Sequence, residues 1–187
     1  MSVRIYTGIG SRGAPPDILQ DMFDIGVALG ISYGLRTGGA EGSDTAFADG
    51  AISVGGLVCV YRPEPVRLSK GVVVVTWGPP TKGAYGIAES VHPAWERLGD
   101  YAKALHARNV HQVLGPKLDK PSEFVVCWTP DGASTEAETS RSTGGTRTAI
   151  VVASRYGIPV YNLHEQNLYS DGLAQLQRIC KRASELR

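Results

Sequence analysis

The sequence has almost no excess of either charge. Its 187 residues include 19 lysines and arginines and 18 aspartates and glutamates, which leaves a formal net charge of +1. Proteins that bind nucleic acid through a broad surface carry a marked basic excess on that surface. The balance of charge therefore excludes a protein that binds nucleic acid through a broad basic surface, and any contact with nucleic acid would have to be confined to a small part of the surface.

Cysteines and long apolar runs are also scarce. The three cysteines are Cys59, Cys127 and Cys180, and the first two lie within apolar runs. No pair has the spacing of zinc ligands, and an odd number does not form a complete disulfide set. We expect buried thiols in a reducing compartment, with no metal site. No apolar run approaches the roughly 20 residues of a membrane-spanning helix, so we expect no membrane partner.

The chain has the composition of a soluble globular domain. Apolar residues make up 42% of it and charged residues 20%, which is typical of a folded globule. The length fits one domain over 1–187. The first ten residues, MSVRIYTGIG, are typical of a strand and not of a signal peptide. We therefore expect a single cytoplasmic domain.

Short apolar strands alternate with amphipathic helices along the chain. The pattern predicts strands at 3–7, 33–37, 57–61, 124–128 and 158–162, and helices at 15–29, 43–54, 98–114, 144–156 and 173–183. Residues 62–97 are less regular and are interpreted as an insertion or flap, with a further strand in GVVVVTWGPP. The alternation predicts an α/β fold with a mostly parallel sheet and helices on both faces. Ligands of such sheets bind at the carboxyl ends of the strands.

Three glycine-rich turns fall at that edge of the predicted sheet. The first follows strand one and is either a simple turn or a ligand-binding turn. The second precedes the helix at 43–54, for which Ser43 is the predicted N-cap, and its acids either cap the helix dipole or accept hydrogen bonds from a ligand. The third is either a capped helix start or a phosphate cradle. The candidate ligand-binding residues are Gly8, Gly10, Ser11 and Arg12, then Gly38, Gly39, Gly42 and Asp44, then Arg108 and Asn109 of the helix at 98–114, and then Gly144, Gly145, Thr146, Arg147 and Thr148.

An arginine lies on the apolar stripe of the predicted helix at 98–114. Leu98, Tyr101 and Leu105 mark the stripe, and helical spacing extends it to Arg108 and Gln112. An arginine on a core-facing stripe needs a partner. Arg108 therefore either pairs with a buried carboxylate or faces a pocket that holds phosphate.

Taken together, these motifs resemble the Rossmann-like superfamily that contains the DNA-processing protein A family. That family has a turn close to S-G-G-A-x-G-I-D, and residues 37–44 read TGGAEGSD. Its R-N-R motif is matched by Arg108 and Asn109, with Val110 in place of the second arginine. Its late S-G-S-x-x-T-A turn is similar to residues 143–149, TGGTRTA. The resemblance implies a Rossmann-like doubly wound sheet and a homodimer or larger homo-oligomer.

The same superfamily includes the Lonely Guy (lysine-decarboxylase-like) phosphoribohydrolases, whose M-H-x-R-K motif resembles LHARN and places Arg108 on the catalytic arginine. The essential glutamate of that family would fall at Ile150 or Val151. Three acids precede the third turn, Asp131, Glu136 and Glu138. They are either solvated or substitute for the missing carboxylate as a general acid or nucleophile.

Three functions fit these features. The first is a nucleotide-binding protein that needs no cofactor and holds a nucleoside phosphate at the glycine turns. The second is an enzyme that cleaves a nucleotide N-glycosidic or phosphate bond with Arg108 and a loop acid. The third is a single-stranded-DNA binder, which needs a basic groove with stacking aromatics; its candidate residues are Lys70, Trp77, Lys82, Tyr85 and Trp95. The near-neutral charge disfavours DNA, and we interpret the chain as a nucleotide binder.

Overall fold

The computed structural model describes residues 3–64, 74–167 and 171–185. The strands are β1 Arg4–Gly8, β2 Tyr33–Thr37, β3 Val58–Tyr61, β4 Val74–Trp77, β5 Val125–Cys127 and β6 Val160–Asn162. The helices are α1 Pro16–Leu29, α2 Ser43–Ser53, α3 Lys82–Val91, α4 Asp100–Leu114, α5 Arg147–Arg155 and α6 Asp171–Ser184. Short 3₁₀ turns lie at Trp95–Arg97, Glu136–Glu138, Gly144–Thr146 and Glu165–Asn167.

The six strands form one sheet in the order β4-β3-β2-β1-β5-β6, and every pairing is parallel. From β1 the chain proceeds outward through β2 and β3 to β4, and then returns to the other side of β1 for β5 and β6. The direction of winding therefore reverses between β1 and β5. Such a reversal leaves a crevice at the carboxyl ends of the two strands, which is where doubly wound sheets bind ligands.

The helices cover both faces of this sheet. On one face α1, α2 and α6 contribute Met22, Phe47 and Leu176 to a core that includes Tyr6 from β1. Complete burial of a side chain the size of Phe47 stabilises the fold by about 1.5–3 kcal/mol. On the other face α3, α4 and α5 form a second core rich in alanine and valine. The Rossmann-like α/β fold inferred from the sequence is confirmed.

Three local expectations differ from the structure. The part of segment 62–97 that is described is regular, because β4 extends the sheet beside β3 and α3 packs on α4; residues 65–73 lie outside the described residues. Ser43 is the first residue of α2, and Gly42 takes the N-cap position without a side-chain cap. Tyr101 does not face the core: it is 59% exposed, and its hydroxyl donates to Glu64.

Two further expectations concern buried thiols and membrane-spanning helices. Cys127 is buried, Cys59 and Cys180 are partly buried, and all three are free thiols. Within the described ranges, every helix is too short or too polar to cross a membrane.

Candidate functional site

The three glycine turns meet at one pocket. It lies beyond the carboxyl ends of β1, β2 and β5, at the point where the winding reverses, and has a volume of about 350 Å³. This is within the range of small-molecule sites, about 300–1,000 Å³. Its lining residues come from all three turns and from α4; they are Ile9, Gly10, Ser11, Arg12, Ala40, Asp44, Ala102, Leu105, His106, Arg108, Asn109, Gln112, Ser142, Thr143, Gly144, Gly145 and Thr146.

The first two turns are joined by a hydrogen bond. Ser43 Oγ donates to the carbonyl oxygen of Ser11 at 2.8 Å. The backbones approach closely here, because a Cβ on Gly10 would lie 2.6 Å from Ser43 Oγ and 3.1 Å from the carbonyl oxygen of Trp128. Gly10 is therefore required for the packing of the first turn, and Ser43 contributes through this contact instead of through a helix cap.

Asp44 places a buried carboxyl group on the pocket lining. The side chain is 4% exposed, and its Oδ2 accepts a hydrogen bond from the backbone N–H of Ala40 at 3.1 Å. Burial raises the pKa of Asp44, while the Arg108 guanidinium and the backbone N–H groups of Ala40, Gly38 and Gly10 act to lower it. The burial effect is the larger, so Asp44 holds its proton more tightly than an exposed aspartate.

Arg108 lies opposite, on α4. Its Nη1 donates to the carbonyl oxygen of Gly38 at 2.8 Å, which ties the second turn to the helix. Burial lowers the pKa of the guanidinium, and the Asp44 carboxyl acts in the opposite direction. Arg108 Nε is buried and has no hydrogen-bond partner among the described residues. The sequence left open a carboxylate partner or a pocket, and the structure places the guanidinium at the pocket.

Gln112 is a pocket residue that sequence analysis did not select. Gln112 lies one helical turn beyond Arg108 and is 1% exposed. Within the described part of the chain, neither its Nε2 nor its Oε1 has a hydrogen-bond partner. A Cβ on Gly38 would overlap Gln112 Nε2 and would lie 2.6 Å from Arg108 Cζ. Glycine at position 38 thus lets the second turn close against both side chains. The signal available in the sequence was helical spacing, since Gln112 was placed on the same stripe as Arg108.

The third turn is fixed to α4 by two polar contacts. Asn109 Nδ2 donates to the carbonyl oxygen of Gly145 at 2.9 Å, and His106 Nδ1 lies 2.7 Å from Thr148 Oγ1. Burial lowers the pKa of His106 to about 4, and the charges of His92 and Arg108 add to this effect. His106 is therefore a neutral imidazole on the pocket lining at neutral pH.

Asp131 holds the segment that precedes the third turn. Its Oδ2 accepts hydrogen bonds from the hydroxyl groups of Ser140 and Thr143. Burial acts to raise the pKa of Asp131, but the hydrogen bonds from Ser140, Thr143 and Thr129 and from the backbone N–H of Ala133 together outweigh it and keep the pKa below its ordinary value. Asp131 is an ionised anchor for a wall of the pocket and does not itself line it.

The other two loop acids point elsewhere. Glu136 forms an ion pair with Arg155 at 2.6 Å. Glu138 Oε2 accepts from the backbone N–H groups of Ser134 and Thr135, which closes a capping box. With these contacts neither carboxylate reaches the pocket lining.

Most of the candidate ligand-binding residues surround the pocket, and the others support it from behind. Gly8 packs against Phe47, Arg147 Nη1 donates to the carbonyl oxygen of Val91, and Thr148 is fully buried. Gly38, Gly39 and Gly42 shape the second turn without lining the pocket.

The described residues considered for a DNA groove do not form one set of exposed aromatic rings. Trp77 stacks on Tyr61 at the edge of the sheet, with ring centroids 6.2 Å apart. Trp95 is mostly buried and packs edge-on against Tyr85. Lys70 lies outside the described residues. Among the residues that are described, no group of three His, Cys, Asp or Glu side chains has an arrangement that could hold a metal ion.

Comparison with solved structures shows which proteins have a similar fold. A DNA processing protein A from Helicobacter pylori, described for its single-stranded DNA binding mode, superposes with a TM-score of 0.55 at 16% identity, over 97% of this chain and 74% of that one. The chain has the fold of DNA processing protein A. The protein TM1055 gives a TM-score of 0.53 at 18% identity, over 93% of this chain and 81% of that one.

A second DNA processing protein A, from Streptococcus pneumoniae, gives 0.53 at 17% identity, and this chain spans 56% of its length. No protein-family model and no curated protein sequence matches the chain. The superfamily resemblance inferred from the motifs is thus confirmed at the level of the fold.

Proposed function

We propose that the chain binds a nucleotide in the pocket formed by the three glycine turns, with its phosphate held by the turns and by Arg12 and Arg108. The observation that carries the proposal is the convergence of these turns on one pocket at the switch point of the sheet. Backbone N–H groups at glycine turns and helix starts favour anions, and arginine is well suited to phosphate.

The charges on the lining support an anionic ligand. Arg12 and Arg108 are cations, and Asp44 is the acidic side chain among the lining residues. Burial raises the pKa of Asp44 and so acts against its negative charge. The pocket therefore has a positive balance in a molecule whose net charge is only +1.

Two measurements test the proposal. Mass spectrometry of the denatured protein should identify a nucleotide that co-purifies with it. Calorimetry with nucleoside mono-, di- and triphosphates should give saturable binding by at least one of them, and binding by none would refute the proposal. A short single-stranded oligonucleotide serves as the comparison. We expect its binding to be weak and to fall steeply with salt, whereas tight binding at physiological salt would favour DNA as the ligand.

We propose N-glycosidic cleavage as a second candidate function, because of one observation. Asp44 is a buried carboxyl with a raised pKa on the lining of the same pocket as Arg108. A carboxyl that holds its proton more tightly than an exposed aspartate is suited to the role of a general acid. Chromatography of each nucleoside monophosphate after incubation should show no free base if the protein only binds. Release of base that is abolished by Asp44→Asn would make cleavage the function.

The oligomeric state is a further part of the proposal, and it rests on the superfamily resemblance alone. We propose a homodimer or larger homo-oligomer. Light scattering coupled to size-exclusion chromatography tests it, and a mass near the 19.9 kDa of one chain would refute it.

A further inference from the structure

The pocket is lined by two side chains that together have three buried polar atoms without a hydrogen-bond partner among the described residues. They are Nε2 and Oε1 of Gln112 and Nε of Arg108. Buried polar atoms in folded proteins nearly always have a partner, so three exceptions on two neighbouring side chains require an explanation. The fourth such atom among the described residues, Tyr6 Oη, lies within the core between the sheet and α1, away from the pocket.

The Gln112 side chain is held by packing and by its backbone. The backbone carbonyl oxygen of Gln112 accepts a hydrogen bond from Thr7 Oγ1 at 2.7 Å, which fixes this turn of α4 against β1. The second turn closes on the carboxamide at Gly38, where a Cβ would overlap Nε2. The position of the carboxamide is therefore set by the fold, and its two polar atoms have no hydrogen-bond partner among the described residues.

We propose that Gln112 binds the hydrogen-bonding edge of the nucleotide base. This inference rests on the proposed nucleotide-binding function and names the group that determines specificity within that site. A carboxamide presents a donor beside an acceptor. Its complement is a planar edge with an acceptor beside a donor, which nucleobases carry, and glutamine pairs with such an edge through two hydrogen bonds. Arg108 Nε, the third atom, remains a donor for the phosphate of the same ligand.

The arrangement divides the pocket into two parts. Gln112 forms the part that recognises the base. Arg12, Arg108 and the glycine turns form the part that holds the phosphate. A ligand that has both groups uses the whole pocket, whereas a sugar phosphate without a base uses only the second part.

Calorimetry with ribose 5-phosphate and the four common nucleoside 5′-monophosphates tests the assignment. For the wild type, we expect at least one monophosphate to bind about 10- to 100-fold more tightly than ribose 5-phosphate, the discrimination of one bidentate contact. The base that gives the highest ratio is the base that this edge recognises. In Gln112→Leu the ratio should fall to about one, and the affinity for ribose 5-phosphate should stay at the wild-type value.

The variants separate recognition from folding. Gln112→Leu removes two polar atoms that have no partner, so we expect it to fold at least as well as the wild type. Gln112→Met is a second apolar variant with a flexible side chain, and it should lose the same discrimination. The control is Gln175→Leu, the same change at an exposed position of α6, which should leave every affinity unchanged.

Each failure has a distinct meaning. If ribose 5-phosphate binds as tightly as every monophosphate, or if both Gln112 variants retain the discrimination, the base-recognition role is refuted while phosphate binding stands. If neither ribose 5-phosphate nor any monophosphate binds to the wild type, nucleotide binding itself is refuted, and the base-recognition role falls with it.

Discussion

Removal of Arg108 should weaken ligand binding more than it weakens the fold. Arg108→Ala eliminates the hydrogen bond from Nη1 to the carbonyl oxygen of Gly38 and the cation on the pocket lining. A hydrogen bond to a charged group contributes about 1.5–3 kcal/mol. If Arg108 makes one such bond to the bound nucleotide, its loss raises the dissociation constant about 10- to 150-fold.

The effect on stability should be smaller, because two contributions oppose each other. The variant loses the bond to Gly38, but it also removes a cation whose pKa is lowered by burial. Asp44 loses a nearby positive charge, so its pKa should rise further above the ordinary value. We expect the free energy of unfolding to change by less than about 1.5 kcal/mol, since one net hydrogen bond contributes about 1 kcal/mol.

Calorimetry on the purified variants provides the measurement. Arg97→Ala is the matched control, because Arg97 is exposed in the short turn before α4 and should leave the affinity unchanged. Arg108→Met keeps most of the side-chain length and separates the loss of charge from the loss of packing. An unchanged dissociation constant for Arg108→Ala, with circular dichroism equal to that of the wild type, would show that Arg108 only supports the second turn.

Three further predictions concern the same site and its surroundings. The free energy of unfolding of Asp44→Asn should rise relative to that of the wild type as pH increases above about 4. Because the pKa of Asp44 is raised in the folded protein, the protonated carboxyl stabilises the folded wild type below the pKa of about 3.9 of an unfolded aspartate. This stabilisation is lost as pH rises through the folded-state pKa of Asp44. Urea unfolding at several pH values measures the free energy of unfolding of both proteins, and Asp49→Asn, at an exposed position of α2, is the control. A difference in unfolding free energy between Asp44→Asn and the wild type that does not vary with pH would contradict the prediction. Gly38→Ala should displace Gln112 and Arg108 and reduce nucleotide affinity at least about tenfold, the loss of one charged contact, and wild-type affinity in calorimetry would show that both side chains move aside freely. Gly86→Ala should raise the free energy of unfolding by about 0.5–1 kcal/mol, because Gly86 is exposed within α3 and a Cβ there meets nothing within 4 Å; destabilisation in urea would mean that this face of α3 is covered.

Local patterns were sufficient to predict the sheet and the position of the pocket. The short segments predicted as strands at 33–37 and 158–162 contain β2 and β6. Each lies between a helix and a turn, as the strands of an alternating α/β chain do. The turns at Gly10 and Gly145 could be placed at one edge, since parallel strands all end on the same side of a sheet. Residues 74–91 were harder, because β4 is an edge strand whose residues alternate between partly buried and exposed.

The face of α4 that is turned toward the core could not be predicted from the sequence. Leu105, Arg108 and Gln112 were assigned to a core-facing stripe, yet they line the pocket. The buried face of α4 includes Ala104, Ala107 and Val110 instead. Small side chains on that face let α3 and α5 approach α4 closely, and this packing turns the longer side chains toward the crevice. Both stripes have helical spacing, so periodicity alone could not choose between them.

The sequence by itself determined the alternation of strands and helices, the glycine turns and the place of Arg108 one turn before Gln112, because each depends on residues near one another in the chain. Only the tertiary structure decided which carboxyl group reaches the pocket. Asp44 lines it, whereas Glu136 is paired with Arg155, a residue 19 positions away in the sequence. It also decided that the carboxamide of Gln112 lies buried without a partner. Hydrogen-bond satisfaction depends on every group that packs around an atom, and those groups come from β1, the second turn and α4 together.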